Sequence, residues 1–423
     1  MKIALPPTYL REMQELLKER FPLLLAAYQE DQVTGLRVNP LKISMSDFIR
    51  INPFPLSPVP WCPTGFYYEK PFAPGKHCFH QAGLYYLQEP SAMKVVEEMA
   101  VKPGDYVLDL CAAPGGKATQ IAGQLNNSGL LVANDTVYNR AQILSQNFER
   151  LAVIKGIVTN EKPANLAPNF PLYFDKVLVD APCSGSGMFR KDPLTINQYK
   201  DNTVELCVKR QQEILREAVK MLKPGGRLVY STCSFSSLEN EEIVEWFLQQ
   251  QPEFTLIKME RLWPFEIKGE GHFYAVFTKA GELKESKRNK LENERSAAQQ
   301  LTTWLQENEL SYEITPLVKW GHQFNLISDA FPLVDNLKVL RYGLPLGEFR
   351  NSRFIPHHSF ALALSANYEL SAQQTSAYLA GESFPVDHHD GWLVVGNCGY
   401  SLGWGKITQG ILKNHYPKGL REH

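Results

Sequence analysis

The sequence predicts an α/β fold built on a parallel sheet with helices on both faces. Two observations carry this reading. Between residues 84 and 280, short apolar stretches alternate with amphipathic ones, as strands do with crossover helices. The first of those strands runs into a loop with two glycines and then a helix. Open α/β sheets bind their ligands in that arrangement, beyond the carboxyl ends of the strands.

The core elements follow in order. Strands are expected at 106–110, 130–134, 156–159, 176–179 and 227–231, because each is a short apolar run suited to burial on both sides. Helices are expected at 116–124, 140–151, 203–222 and 238–250, and the apolar run 272–278 reads as an added strand. Ahead of the core, Leu10, Met13, Leu16, Leu17, Phe21, Leu24 and Leu25 recur at helical spacing, and 34–39 reads as a strand. Five prolines in 52–64 restrict that stretch to extended or turn backbone. The chain therefore divides into an N-terminal region at 1–95, an α/β core at 96–281, a linker at 282–296 and a C-terminal α+β extension at 297–423. The linker reading rests on nine charged residues in the fourteen of 282–295. The stretch 391–411 is rich in glycine and strand formers and reads as a small β-barrel-like module.

Composition narrows the function. At 423 residues, 44% hydrophobic and 21% charged, the chain is globular and has no composition of disorder. With 44 basic and 45 acidic residues it carries no global basic signal for nucleic acid. Two stretches lean basic: 186–227, with nine Lys/Arg against five Asp/Glu, and 400–423, where Lys406, Lys413, Lys418 and Arg421 face Glu422 alone. Charge by itself leaves solvated surface open as their explanation. Seven cysteines include no CxxC pair, which speaks against a metal site. The first residues do not read as a signal peptide, and the apolar run around 22–28 is far short of the ~20 residues of a spanning helix. The expectation is a soluble, reduced, cytoplasmic protein with no membrane partner.

Three loops carry chemistry. The strand 106–110 leads into Cys111, Ala112, Ala113, Pro114, Gly115, Gly116 and Lys117, whose glycines permit close approach of a ligand and whose following helix offers free N–H groups. Asp109 stands at that strand's end. Asp135 ends the next strand, where a carboxylate can accept from both ribose hydroxyls, with Arg140 shortly after it. The strand 176–179 leads into Asp180-Ala-Pro-Cys183, and 227–231 into Thr232-Cys233-Ser234. Both cysteines are expected in one crevice, as nucleophiles for an electron-poor carbon. Asp180 suits a polar heterocycle, accepting from an exocyclic amine or, if protonated, donating to a ring nitrogen. Arg190 and Lys191 lie next to this loop, as phosphate contacts, as groups that order a substrate base, or as a solvated turn. Cys62, Cys78, Cys207 and Cys398 are expected to be small buried hydrophobes.

CAAPGGK at 111–117, DAPCSGSG at 180–187 and STCS at 231–234 together resemble the Sun-family RNA (cytosine-5) methyltransferases. GLYYLQEPSAM at 83–93 is similar to the stretch preceding the catalytic core in that family, and GLRVNPLK at 35–42 to its N-terminal RNA-facing segment. The resemblance implies a Rossmann-like core and S-adenosylmethionine as methyl donor. It implies that 111–117 line the donor site, that Asp135 holds the ribose and that Asp180 lies near both the methionine moiety and cytosine. It implies that Cys233 is the nucleophile and that Cys183 assists product release; Lys191 and Arg140 complete the candidate set. The family often has an acid after the third strand, near the adenine. Here the strand runs GIVTNEKP, and of Asn160 and Glu161 the amide is preferred because it both donates and accepts. The absence of a NusB-like domain and the GWLVVGN…GWGKITQG ending, PUA-like from about 370, resemble the small-subunit ribosomal RNA branch. That makes ribosomal RNA the expected substrate, with transfer RNA as the alternative. A small-molecule methyltransferase or a non-catalytic RNA-binding factor remains further off. A monomer without metal is expected.

Overall fold

The computed structural model describes residues 4–421 apart from 201, 284–292, 315, 328–330, 333, 335 and 352. The centre of the charged linker read at 282–296 thus lies outside the described residues. In chain order the strands are β1 (Gly35–Val38), β2 (Ser57–Pro58), β3 (Gly65–Tyr67) and β4 (Tyr85–Leu87). The core follows with β5 (Tyr106–Asp109), β6 (Leu130–Asn134), β7 (Gly156–Thr159), β8 (Phe174–Asp180), β9 (Leu222–Thr232), β10 (Phe254–Leu262) and β11 (His272–Lys279). The extension adds β12 (Leu317–Trp320), β13 (Gln323–Leu326), β14 (Val339–Tyr342), β15 (Leu344–Arg350) and β16 (Arg353–Pro356). The last module holds β17 (Tyr368–Glu369), β18 (Phe384–Pro385), β19 (Gly391–Asn397), β20 (Tyr400–Thr408) and β21 (Ile411–Asn414).

The central sheet has the order β10-β11-β9-β8-β5-β6-β7-β14. Its five middle strands pair parallel, as expected. Successive residues point to opposite faces. Val107, Leu131, Val158, Leu178 and Val229 pack under the helices Pro90–Met99, Gly116–Leu125 and Tyr138–Arg150. Leu108, Val132, Ile157, Val177 and Leu228 pack under Thr203–Met221 and Glu241–Gln250. Burial on both faces is why these strands read as unbroken apolar runs.

The flanks depart from the all-parallel expectation. β11 runs antiparallel to β9, and β10 antiparallel to β11. A hairpin reverses the chain there, and only a crossover keeps it parallel. β10 is an edge strand with Thr255, Ile257, Lys258 and Met259 exposed and polar residues interspersed, so it lacks an apolar run to betray it. At the other edge β14, from the C-terminal extension, pairs antiparallel with β7.

The N-terminal sheet, in the order β2-β3-β1-β4, sits against the core through buried polar groups. Arg37 donates to Gln88 Oε1 at 2.8 Å, to the Gly116 carbonyl at 3.0 Å and to Thr119 Oγ1 at 2.8 Å. Asn39 donates to the carbonyls of Gly83 and Leu151. Arg37 and Asn39 are 3% and 4% exposed, so the segment expected to face RNA faces inward at these positions. Its charged and amide groups satisfy backbone at a domain junction, where an unpaired donor or acceptor is costly.

The two ends of the chain share a core. Leu36, Phe48 and Tyr85 of the N-terminal region cluster with Leu393, Val395, Leu402 and Leu412. Those last four belong to the five-stranded sheet β17-β19-β20-β21-β18, which begins before the 391–411 stretch that announced it. Cys398 is exposed, at the tip of the β19–β20 hairpin with φ +51°, and not in a core. Arg37→Ala is expected to lower stability by about 3 kcal/mol, because three acceptors lose a buried donor. Chemical denaturation measures it; a change below about 0.5 kcal/mol, the size of a surface substitution, would deny Arg37 this role.

Candidate active site

The site is built on the carboxyl edge of the central sheet. β5 ends at Asp109, and the chain turns through Gly115, at φ +115°, into the helix Gly116–Leu125. A side chain at that φ would be strained. No side chain caps the helix start, so its N–H groups are available to a ligand. The loop is held from the neighbouring helix: Arg140 donates to the Ala113 carbonyl at 2.7 Å and Asn147 to that of Pro114 at 2.8 Å. Asp109 is fully buried and neither of its carboxyl oxygens has a partner. Burial, then repulsion from Asp180, pushes its pKa well up.

Asp135 follows β6 and is 3% exposed. Its Oδ1 accepts from Val137 N at 2.9 Å, and Arg140 stands 3.5 Å from its Oδ2. Arg140 therefore braces both Asp135 and the glycine loop. Asn160 follows β7 and donates to the Asp135 carbonyl at 2.8 Å, which places it beside the acid. Glu161 is committed elsewhere: its carboxylate accepts from Lys338 N and from Asn165 Nδ2, both at 2.9 Å.

The β8–β9 register brings the remaining groups together. Asp180 pairs with Ser231 across the two strands. Its carboxylate accepts from Lys117 Nζ at 2.7 Å and from Ser231 Oγ at 2.7 Å. His272 Nε2, from the start of β11, lies 3.6 Å away. Burial acts to raise the Asp180 pKa, but the Lys117 ammonium and His272 overcome it and hold it well below the usual carboxylate range. Asp180 is thus a carboxylate at neutral pH, which removes the alternative of a protonated Asp180 donating to a ring nitrogen. Lys117 was placed by its motif in the donor loop; the structure puts it on Asp180 and within electrostatic reach of Cys233.

Cys183 and Cys233 stand with their sulfurs 3.3 Å apart. The Cys183 thiol is pushed well up, first by its hydrogen bond to Cys233, then by burial and by the Cys233 charge. Either sulfur of the pair can be the donor. Cys111, in the same crevice, is pushed up by burial and by Asp109, Asp135 and Asp180. It stays a thiol.

Lys191 does not join the site. It is exposed, while its neighbour Arg190 is buried. Arg190 donates to Glu270 Oε2 at 2.7 Å and to the carbonyls of Ala27 and Gly269. That network ties the catalytic loop to the N-terminal helices, so Arg190 is unavailable to phosphate. Ser231 and His272 were not expected from the sequence. His272 is 40 residues from the second cysteine motif and reaches it only through the antiparallel β9–β11 pairing, which no local pattern encodes.

A family model described as 16S rRNA methyltransferase RsmB/F matches residues 96–278. Models for the N-terminal domain, the first C-terminal domain and the PUA domain of RsmF match 5–90, 303–364 and 365–422. The ribosomal RNA small subunit methyltransferase F of Shewanella sediminis is 32% identical over 91% of this chain and 90% of that protein. Its counterpart from Erwinia tasmaniensis is 30% identical over 99% and 97%. The chain belongs to the RsmB/F methyltransferase family.

Among solved structures, a methyltransferase homolog protein from Pyrococcus horikoshii is 31% identical, with a TM-score of 0.59, over 66% of this chain and 96% of that one. The NSun6 structure from the same organism, solved with SFG, matches 67% of this chain and 100% of its own at a TM-score of 0.60 and 21% identity, which speaks for the fold. As an RsmB/F-family member the protein is an S-adenosylmethionine-dependent methyltransferase with a Rossmann-like core and a C-terminal PUA domain. The site fits that donor: an orphaned buried carboxyl at Asp109, free helix N–H groups, and acids lining a crevice that suits a cation.

Replacing Lys117 by methionine removes the largest influence that opposes burial at Asp180 and leaves only His272 and Ser231 against it, so the carboxyl pKa rises. The acid limb of kcat/KM is expected to move to higher pH, with a loss on the order of 10²-fold at neutral pH. A pH–rate profile with an unmoved acid limb would separate Lys117 from Asp180.

Proposed function

We propose that the protein methylates C5 of cytosine in RNA, most specifically small-subunit ribosomal RNA, through a covalent bond between Cys233 and C6 of the base. The observation that carries this is the pair of sulfurs 3.3 Å apart beside the Lys117–Asp180 ion pair. The ribosomal substrate is supported by the names of the relatives, which span nearly the whole chain.

The residues divide the work as follows. Residues 111–117 and Asp135 hold the methyl donor, with Asn160 at its adenine end and Arg140 bracing the loop. S-adenosylmethionine, when bound, supplies an electrophilic methyl carbon. Asp180, ionised, accepts from the cytosine N4 amine, an interaction that uracil with its O4 cannot make. Cytosine C5 is a poor nucleophile until the Cys233 sulfur bonds to C6 and the displaced electron pair moves to C5, which then takes the methyl. Lys117 offsets the charge of the attacking thiolate. Cys183, whose sulfur lies 3.3 Å from that of Cys233, then assists removal of the C5 proton. The C5–H electron pair re-forms the C5=C6 double bond and expels the Cys233 thiolate. Splitting one hard step into addition and elimination is the gain of covalent catalysis.

A base in a helix cannot reach such a crevice, so the target nucleotide must be unstacked. The reading places the protein in the cytoplasm as a monomer. Among the described residues no helix is long and apolar enough to cross a membrane, and no His/Cys/Asp/Glu group could hold a metal.

Cys233→Ala is expected to bind RNA and yield no 5-methylcytosine by mass spectrometry of digested RNA; retained turnover would refute the nucleophile. Cys183→Ala is expected to accumulate a protein–RNA adduct that survives denaturants. Sequencing its RNA identifies the substrate: small-subunit ribosomal RNA supports the proposal in full, and transfer RNA would replace the substrate while keeping the chemistry.

A further inference from the structure

Behind the two cysteines lies a carboxylate that the reaction as described does not use. Glu239 is fully buried, in the turn between β9 and the helix Glu241–Gln250. It makes no ion pair among the described residues. Four hydrogen bonds satisfy it instead. Its Oε1 accepts from Ser184 N at 2.8 Å and from Gln211 Nε2 at 3.1 Å. Its Oε2 accepts from the hydroxyls of both Ser184 and Ser234. Those hydroxyls also lie 3.0 Å from each other.

Ser184 directly follows Cys183, and Ser234 directly follows Cys233. Gln211 completes the arrangement by donating to the Pro182 carbonyl, on the other side of Cys183. Tyr230, near the end of β9, donates to the Glu239 carbonyl at 2.6 Å and fixes the turn from which the side chain reaches in. One carboxylate thus grips the two cysteine-bearing loops, which otherwise belong to different strands. A buried anion without a counter-charge is costly, and the cost falls only while every donor stays in place. Both loops are held to one geometry for that reason.

We infer that Glu239 is a positioning residue that sets the relative placement of the Cys183 and Cys233 thiols for addition and elimination. It touches no reacting atom and acts through Ser184 and Ser234. Glutamine at this position keeps an acceptor for Ser184 N and Gln211, and its NH₂ donates to the two serine hydroxyls, which can accept. Alanine removes the carboxylate's part of the grip and leaves the direct bonds between the loops, Gly187 N to the Cys233 carbonyl and Phe235 N to Ser186 Oγ, both at 2.7 Å. The inference rests on the cysteine pair being the reacting pair, and the test separates the two.

The experiment measures thiol proximity without catalysis. Diamide oxidises two adjacent thiols to a disulfide, taking up their two electrons and two protons as it becomes the hydrazine. The Cys183–Cys233 cross-link is followed over time by mass spectrometry of unreduced peptides. Methylation kinetics and S-adenosylmethionine affinity are measured on the same full-length proteins. For Glu239→Ala we expect cross-linking to slow at least about tenfold and kcat to fall on the order of 10²-fold, the size of a small misplacement of reacting groups. KM for RNA and donor affinity should stay within about twofold, and Glu239→Gln should restore most of both rates. Ser184→Ala, which keeps the buried carboxylate and removes one donor, should show the same pattern more weakly, and it serves if Glu239→Ala does not fold. Wild-type cross-linking and kcat in a folded Glu239→Ala or Ser184→Ala protein would overturn the inference. So would slowed cross-linking with unchanged methylation. Turnover by Cys233→Ala would instead overturn the proposed reaction, whatever Glu239 does.

Discussion

The pairing of β8 with β9, Asp180 opposite Ser231, is the constraint on which the site depends. Parallel neighbours end on the same edge of the sheet, so the loops that follow them leave side by side. Two cysteines 50 residues apart in the chain meet at 3.3 Å because each stands a few residues past the end of its strand. A slip of one residue in that register would turn every side chain of one strand to the opposite face. The apolar residues on both faces of β8 and β9 oppose such a slip, so the packing of the core and the geometry of the thiols are one constraint.

Electrostatics then sorts three chemically identical groups in one crevice. Cys111 sits among Asp109, Asp135 and Asp180 and is held as a thiol. The Cys183 thiol is pushed well up by its hydrogen bond to Cys233 and by burial. Cys233 lies within reach of the buried Lys117 ammonium. The same lysine keeps Asp180 ionised against its burial. One cation therefore acts on both Asp180 and Cys233. Lys117 is only 9% exposed, so solvent screens its charge little.

The parts outside the catalytic core are joined to it as structure and not strung beside it. β14 from the extension completes the sheet next to β7, and the Lys338 backbone is bonded to both Asn160 and Glu161. The residues that follow β7 are thus braced by a segment far along the chain. The N-terminal sheet and the C-terminal module share apolar residues, and the helices before Tyr28 seat against Phe189, Phe235 and Trp263 behind the catalytic loop. An RNA that meets these regions meets a surface already fixed relative to the cysteines.

The amino-acid sequence by itself determined the parallel centre of the sheet, the donor loop and the two cysteine loops. Doubly buried strands demand apolar runs, and close approach of a ligand demands glycine, so local composition records both. It did not determine the edges of the sheet, because β10 is half-exposed and β14 arrives from another region. Nor could it separate Lys191 from Arg190, two adjacent cations of which only one turns inward to Glu270. Arg37 and Asn39 belong to a segment that the resemblance made RNA-facing, and only the junction between sheets made them interior. His272 and Glu239 carry no motif of their own, and Ser231, though it opens the STCS motif, has nothing in the sequence to pair it with Asp180. Their roles come from strand register and from one buried carboxylate between two loops, and those are distances that exist only once the chain has closed on itself.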